Sequence, residues 1–160
     1  MPRPSDTHLP IVSQTTEYAF RALAELACCP EEPRRATDLS ERTGVPLAYL
    51  SKVLRKLVAG GVLKARKGHG GGFVLARRAD RVTFEEVLAA LGEAPARNRC
   101  AFGWGRCSPS KPCPLHPAWS QLQSAFERWA SKTTLATVAA PPAGQRRRAS
   151  SKRTASHASK

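Results

Sequence analysis

Three cysteines and a histidine share one short stretch, Cys100-x6-Cys107-x5-Cys113-x2-His116. Thiolates and an imidazole within seventeen residues make a soft-ligand site, suited to an iron–sulfur cluster or to zinc. The bare ligand list, three Cys and one His, matches a tetrahedral zinc site as well as iron. Without a metal, the same thiols would form a redox switch in which two join on oxidation. The chain has no Cys-x-x-Cys pair, and its thiols are not set among alternating strands and helices. Both facts argue against a thiol oxidoreductase, and we expect no enzyme here. Cys28 and Cys29 are adjacent near a helix end, point in different directions and are read as structural. Trp104, inside the cysteine stretch, is a shield for a metal or a packing anchor.

The elements that must position these ligands follow from periodicity. Residues 1–13 form a loose leader with three prolines. Ala19, Leu23, Leu26 and Ala27 recur at helical spacing, which predicts a helix from Thr15 to about Cys29, ended by Pro30. A short helix over Asp38–Thr43 is opened by Thr37 and Asp38, and Gly44 turns the chain. Pro46 starts the next helix, which runs to Ala59. Its apolar stripe is Leu47, Leu50, Leu54, Leu57 and Val58. Ala48, Ser51, Lys52 and Arg55 lie on the opposite side. Two short strands, Leu63–Arg66 and Phe73–Ala76, are joined by a glycine-rich turn over 67–72. Helix, glycine turn, helix and glycine-rich hairpin is the order of a winged helix-turn-helix.

Thr83-Phe-Glu-Glu86 is a capping box that starts a helix to about Leu91. The loop over 92–113 is too long and structureless for an ordinary connection. A final helix is expected over 114–138, where Leu115, Trp119, Leu122, Phe126 and Trp129 step by 4, 3, 4 and 3. Such a seam asks for a partner helix, most simply its twin in a homodimer. The fold class is therefore mainly α: a winged helix-turn-helix over 14–91 with a small β-hairpin wing and a long C-terminal dimerisation helix. A basic tail over 139–160 has little to bury and is expected to be disordered.

The formal net charge is +14, of which the last twenty residues supply +6 and residues 1–140 the remaining +8. A folded part that is basic in its own right favours a polyanion, nucleic acid before membrane. Between Glu41 and Asp80 there are nine basic residues and no acid. They fall on the second helix of the helix-turn-helix and on the wing. Arg55 and its neighbours would neutralise phosphates of an operator in double-stranded DNA. Ala48, Ser51 and Lys52 would face base edges in the major groove. Lys67 and His69 would lie in or beside the minor groove. No apolar run approaches the ~20 residues of a membrane span. Residues 1–14 lack the apolar core and cleavage site of a signal peptide. A cytoplasmic, membrane-free protein with reduced or metal-bound cysteines is the expectation.

The runs Thr37–Ser51 (TDLSERTGVPLAYLS), Lys67–Phe73 (KGHGGGF) and Pro112–Trp119 (PCPLHPAW) together resemble the Rrf-two (BadM-type) family of bacterial winged-helix regulators. The likeness covers about residues 11–138. The family includes a regulator of iron–sulfur assembly genes and a nitric-oxide-sensitive repressor. The resemblance implies a DNA-binding homodimer, most often a repressor, carrying a [2Fe-2S] or [4Fe-4S] cluster. By position, Cys100, Cys107 and Cys113 become the cluster thiolates. His116, or Glu17 donated by the other subunit, becomes the fourth ligand. This chain has six residues, where better-known members have five, between the first two cysteines. A cluster-free regulator using a thiol switch, zinc or a small ligand is the alternative. Either way, a change at the loop between wing and dimer helix would alter the spacing of two recognition helices across the operator.

Overall fold

The computed structural model describes residues 12–94, 100–106, 108 and 110–139. Most of the leader, Cys107 and the basic tail beyond residue 139 lie outside those residues. Helix α1, Gln14–Cys28, starts where Ser13 Oγ accepts the Thr16 N–H at 3.1 Å. That bond satisfies one of the donors a helix start leaves open. Ala19, Ala22, Leu23, Leu26 and Ala27 form its buried face.

Helix α2 spans Ala36–Thr43, two residues longer at its start than the sequence predicts. The reason is at the cap: the Asp38 carboxylate accepts the Arg35 N–H at 3.2 Å, so Asp38 sits inside the first turn. Gly44 closes α2 with a φ of 71°, a left-handed value that glycine adopts without strain. Helix α3, Leu47–Ala59, follows Pro46 and buries Leu50, Val53, Leu54 and Leu57. Leu47, expected in that stripe, is 42% exposed at the first position of the helix.

Strands β1 (Leu63–Arg66) and β2 (Gly72–Leu75) pair antiparallel, with Leu63 opposite Leu75 and Arg66 opposite Gly72. Arg34 adds a bridge to Phe73, exchanging both backbone hydrogen bonds at 3.1 and 2.8 Å. This close approach needs Gly72: a Cβ there would lie 2.5 Å from the Arg34 carbonyl oxygen. The wing is thereby tied to the α1–α2 connection and not left as a free hairpin.

Helix α4, Phe84–Leu91, opens with the expected capping box. The Thr83 N–H donates to Glu86 at 2.8 Å, and the Glu86 N–H to Thr83 Oγ1 at 3.3 Å. Gly60 lets α4 lie against the end of α3, since a Cβ there would meet Ala90 Cβ at 2.3 Å. The core is one cluster drawn from α1, α2, α3, the wing root and α4, joined by Ala130 and Leu135 near the C-terminal end.

Helix α5 runs from His116 to Lys132 and not to residue 138 as its seam predicted. At Thr133 the chain turns back onto the winged helix. The Thr133 carbonyl accepts the Phe84 N–H, and the Leu135 N–H donates to the Val82 carbonyl, both at 2.9 Å. Thr134 bridges Thr83, and Leu135 is fully buried. Backbone bonds and a buried leucine worth about 1.5–3 kcal/mol outcompete continuation of the helix through two β-branched threonines. Within α5 itself only Ala130 is buried.

Candidate thiol site and nucleic-acid interface

The loop after α4 returns as a tight turn around Cys100. The Cys100 N–H donates to the Gly105 carbonyl at 3.1 Å, and the Gly103 N–H to the Cys100 carbonyl at 3.0 Å. Gly103 and Gly105 both take positive φ, 71° and 100°, which is how six residues reverse so sharply. The turn wraps backbone donors around the Cys100 sulfur. Hydrogen bonding by the Phe102 backbone, followed by Trp104, Cys113 and Gly103, holds this thiol below its ordinary range, against a loss of hydration pulling upward. Cys100 is buried, and its sulfur lies 3.9 Å from that of Cys113.

That distance is informative. Two thiolates on one tetrahedral metal, each at about 2.3 Å, are about 3.8 Å apart. The observed pair therefore matches two ligands of one soft metal, and is also at thiol–thiol contact, one short shift from a disulfide. Both thiols border a pocket of about 290 Å³, with Trp104, Arg106, Ser108 and Lys111 among its walls. Arg106 and Lys111 thus set positive charge on the wall beside the two thiols. The donor set and its cationic wall fit an iron–sulfur cluster or zinc.

Cys107, the middle cysteine of the motif, lies outside the described residues. His116 stands at the first position of α5, half-buried, its N–H donating to the Cys113 carbonyl at 3.0 Å. It is thus one turn from Cys113 by backbone. Glu17 is on α1 and forms an ion pair with Arg21 of the same helix. Among the described residues, no three His, Cys, Asp or Glu side chains converge into a metal-sized group. Trp104 is 73% exposed and stacks on Phe102 with centroids 4.7 Å apart, so it forms the pocket's outer edge and is no core anchor.

On the other side of the molecule's sequence, α3 presents Ala48, Lys52 and Arg55 to solvent, with Ser51 half-buried between them. Ser51 Oγ donates to the Leu47 carbonyl at 2.8 Å, leaving its lone pairs as acceptors. Arg55 Nε donates to the Ser51 carbonyl at 3.2 Å, which folds its stem along the helix. Lys67 and His69 are exposed in the wing turn, His69 between Gly68 and Gly70, both of positive φ. The basic run is trimmed by pairing: Arg42 with Glu25, Arg77 with Glu86 and Arg78 with Asp80. Lys56 reaches back to the Leu91 carbonyl at 3.0 Å, where it meets the negative end of α4. Of the described residues in that run, Lys52, Arg55, Lys56, Lys64, Arg66 and Lys67 are exposed cations outside these ion pairs.

Comparison with known proteins decides the family. The Rrf2 family model, described as iron-dependent transcriptional regulators, matches residues 12–141. The chain belongs to the Rrf2 family. This Rrf2 chain is 31% identical over 119 residues to the HTH-type transcriptional regulator IscR of Cronobacter sakazakii, across 74% of this chain and 73% of that one. The IscR of Escherichia coli strain K12 / DH10B gives the same identity and coverage. Among solved structures it resembles CymR, the global cysteine regulator of B. subtilis, with a TM-score of 0.68 at 20% identity, covering 80% of this chain and 95% of that one. The IscR of T. potens gives 0.61 at 22% identity, covering 78% and 82%. At those identities the structures establish the winged-helix fold alone. The relatives by sequence are transcriptional regulators and not enzymes. No described helix of this Rrf2 chain is long and apolar enough to cross a membrane.

Sequence reading passed over Arg106 and Lys111, whose only signal was their place beside Cys107 and Cys113. It also passed over Glu93, although that residue is the sole acid between Glu86 and Glu127. Tyr49, exposed on the first turn of α3, was hidden among its apolar neighbours.

Proposed function

We propose that this Rrf2 chain is a cytoplasmic, homodimeric regulator, a repressor, whose grip on an operator in double-stranded DNA is set by an iron–sulfur cluster. The observation that carries the reading is the 3.9 Å approach of the Cys100 and Cys113 sulfurs in the loop joining the winged helix to α5. Cys100, Cys107 and Cys113 would hold the cluster, [2Fe-2S] or [4Fe-4S], with His116 or the partner's Glu17 as the remaining ligand. When bound, the cluster supplies a centre whose charge and integrity change with redox state, nitric oxide or iron supply.

The chain's own residues do the rest. The glycine turn and its backbone donors hold the Cys100 thiol below its ordinary range, and Arg106 and Lys111 line the pocket beside it. Cys113 sits at the head of α5, so an ordered loop sets where that helix starts. Leu115, Leu122 and Trp129, 40%, 57% and 41% exposed, support a seam against a second α5. Residues 14–91 read DNA, with Ala48, Ser51 and Lys52 toward bases, Arg55 toward phosphate, and Lys67 and His69 at the minor groove. In a two-fold dimer the recognition helices must match half-sites about 34–36 Å apart, so a small rotation at the loop changes affinity.

The same contact supports a second reading, a thiol switch without metal. Cys100 and Cys113 would each lose a proton and together pass two electrons to a peroxide-class oxidant, forming one S–S bond. Purification without oxygen, with visible absorption and iron and sulfide analysis, separates the two. A brown protein with matched iron and sulfide is expected. A colourless protein that stays iron-free after reconstitution removes the cluster and leaves the switch.

A further inference from the structure

We propose that Glu93 is a positioning residue that couples the root of the cysteine loop to the DNA-reading helix through the first turn of α1. The inference deepens the reading above, since it rests on the loop's state governing operator binding.

Glu93 follows Gly92, the left-handed end of α4, and its N–H donates to the Leu88 carbonyl at 2.8 Å. Its backbone is therefore fixed by α4, while the chain beyond it leads to Cys100, seven residues on. Its side chain turns the other way. One carboxylate oxygen accepts from both Ser13 Oγ and Thr16 Oγ1. Thr16 is fully buried, the one polar residue so placed among those described. A carboxylate accepts only, so both hydroxyl protons are committed to it. This orients the Ser13 lone pair at the Thr16 N–H and sets the cap of α1.

The next residue carries the link onward. Thr15 Oγ1 and Tyr49 Oη are hydrogen-bonded at 2.7 Å, and the Tyr18 ring packs edge-on to Tyr49 with centroids 5.3 Å apart. Tyr49 lies in the first turn of α3, beside Ala48. Ser13, Thr15 and Thr16, at the cap and first turn of α1, thus touch the loop root on one side and the recognition helix on the other. No other carboxylate between residues 87 and 126 is available to replace Glu93.

The test uses the full-length Glu93→Gln protein, which keeps shape but weakens acceptance from two hydroxyls. In the reduced, metal-free protein, amide hydrogen exchange should quicken several-fold in the first turns of both α1 and α3. Faster exchange confined to α1 would overturn the relay and leave a local cap. In parallel, operator affinity is measured with and without reconstituted iron. Glu93→Gln should load iron like the wild type, while the affinity ratio between the two forms falls at least ~5-fold toward one. An unchanged ratio in a folded, iron-loaded variant overturns the proposal. Tyr49→Phe, which cuts the link at its far end, should lower the ratio alike and supplies the test if Glu93→Gln does not fold. A wild-type ratio near one would sink the parent reading. The exchange experiment, which needs no cluster, then decides the relay by itself.

Discussion

Cys100 and Cys113, thirteen positions apart, meet with their sulfurs 3.9 Å from one another, although one lies in a glycine turn and the other at the threshold of a helix. The meeting puts a chemically labile pair at the junction between the winged helix and α5, whose Leu122 is exposed. On the proposed function, each part of that junction has a separable consequence.

Cys113→Ser removes one of the two touching sulfurs while keeping the side chain's size. Loss of a ligand should cost more than the ~10–100-fold in metal affinity typical of a supporting residue. The expected protein is colourless after anaerobic reconstitution, with operator affinity indifferent to iron. Cys107→Ala should behave likewise, and an iron content and operator affinity equal to the wild type would end the cluster mechanism.

Lys52→Ala and Lys67→Ala remove exposed cations from α3 and from the wing. Each phosphate contact contributes about one unit to the slope of affinity against salt, so a lost contact lowers that slope by ~1. Lys52 faces a base on the proposed reading, so its substitution should instead relax selectivity at one operator position by ~1–3 kcal/mol with the slope unchanged. Binding titrations at several salt concentrations on operator and scrambled DNA separate the two.

Leu122→Glu places a charge on the most exposed apolar position of the α5 seam, 57% exposed in the single chain. The fold should survive, since that side chain supports no core contact. Sedimentation should then show a monomer, and operator affinity should fall by the loss of one half-site. A dimer of undiminished strength would move the interface elsewhere.

Thr83→Ala removes the cap of α4 and should lower stability by ~1 kcal/mol. The partner carboxylate adds a pH signature. Burial works to raise the Glu86 carboxyl, but the Thr83 backbone and then Arg77 win and hold it below the usual range. Its depressed native value means that its contribution is fully present above the unfolded value of about 4.3 and fades as pH falls through the native one. Thermal melts of wild type and Glu86→Gln should accordingly differ at neutral pH and converge in acid. A gap that widened in acid would reverse the sign argued here.

Much of the scaffold was legible in the chain because it rests on local chemistry. The Thr83 and Glu86 capping box, the turn at Gly44, and the opposition of apolar and basic residues on α3 act within a few residues of themselves. The errors came where distant parts compete. The heptad spacing of α5 predicted a helix to residue 138, but Thr133–Leu135 instead joins Val82–Phe84, a segment far away in sequence. The nine-residue basic run was a count of charges, and only folding showed Glu25, Asp80 and Glu86 claiming three of them.

The sequence by itself determined the helix order, the glycine-rich wing, the cysteine spacing and the family likeness, since each depends on residue type and short-range geometry. Only the tertiary structure decided that Cys100 and Cys113 touch, that Glu93 reaches Ser13 and Thr16, and that α5 packs Phe126 and Ala130 on the core while Leu122 stays exposed. Those are contacts between segments far apart in the chain, set by how the core packs. Periodicity can name the face a helix will bury, but what that face meets is chosen when the whole chain closes.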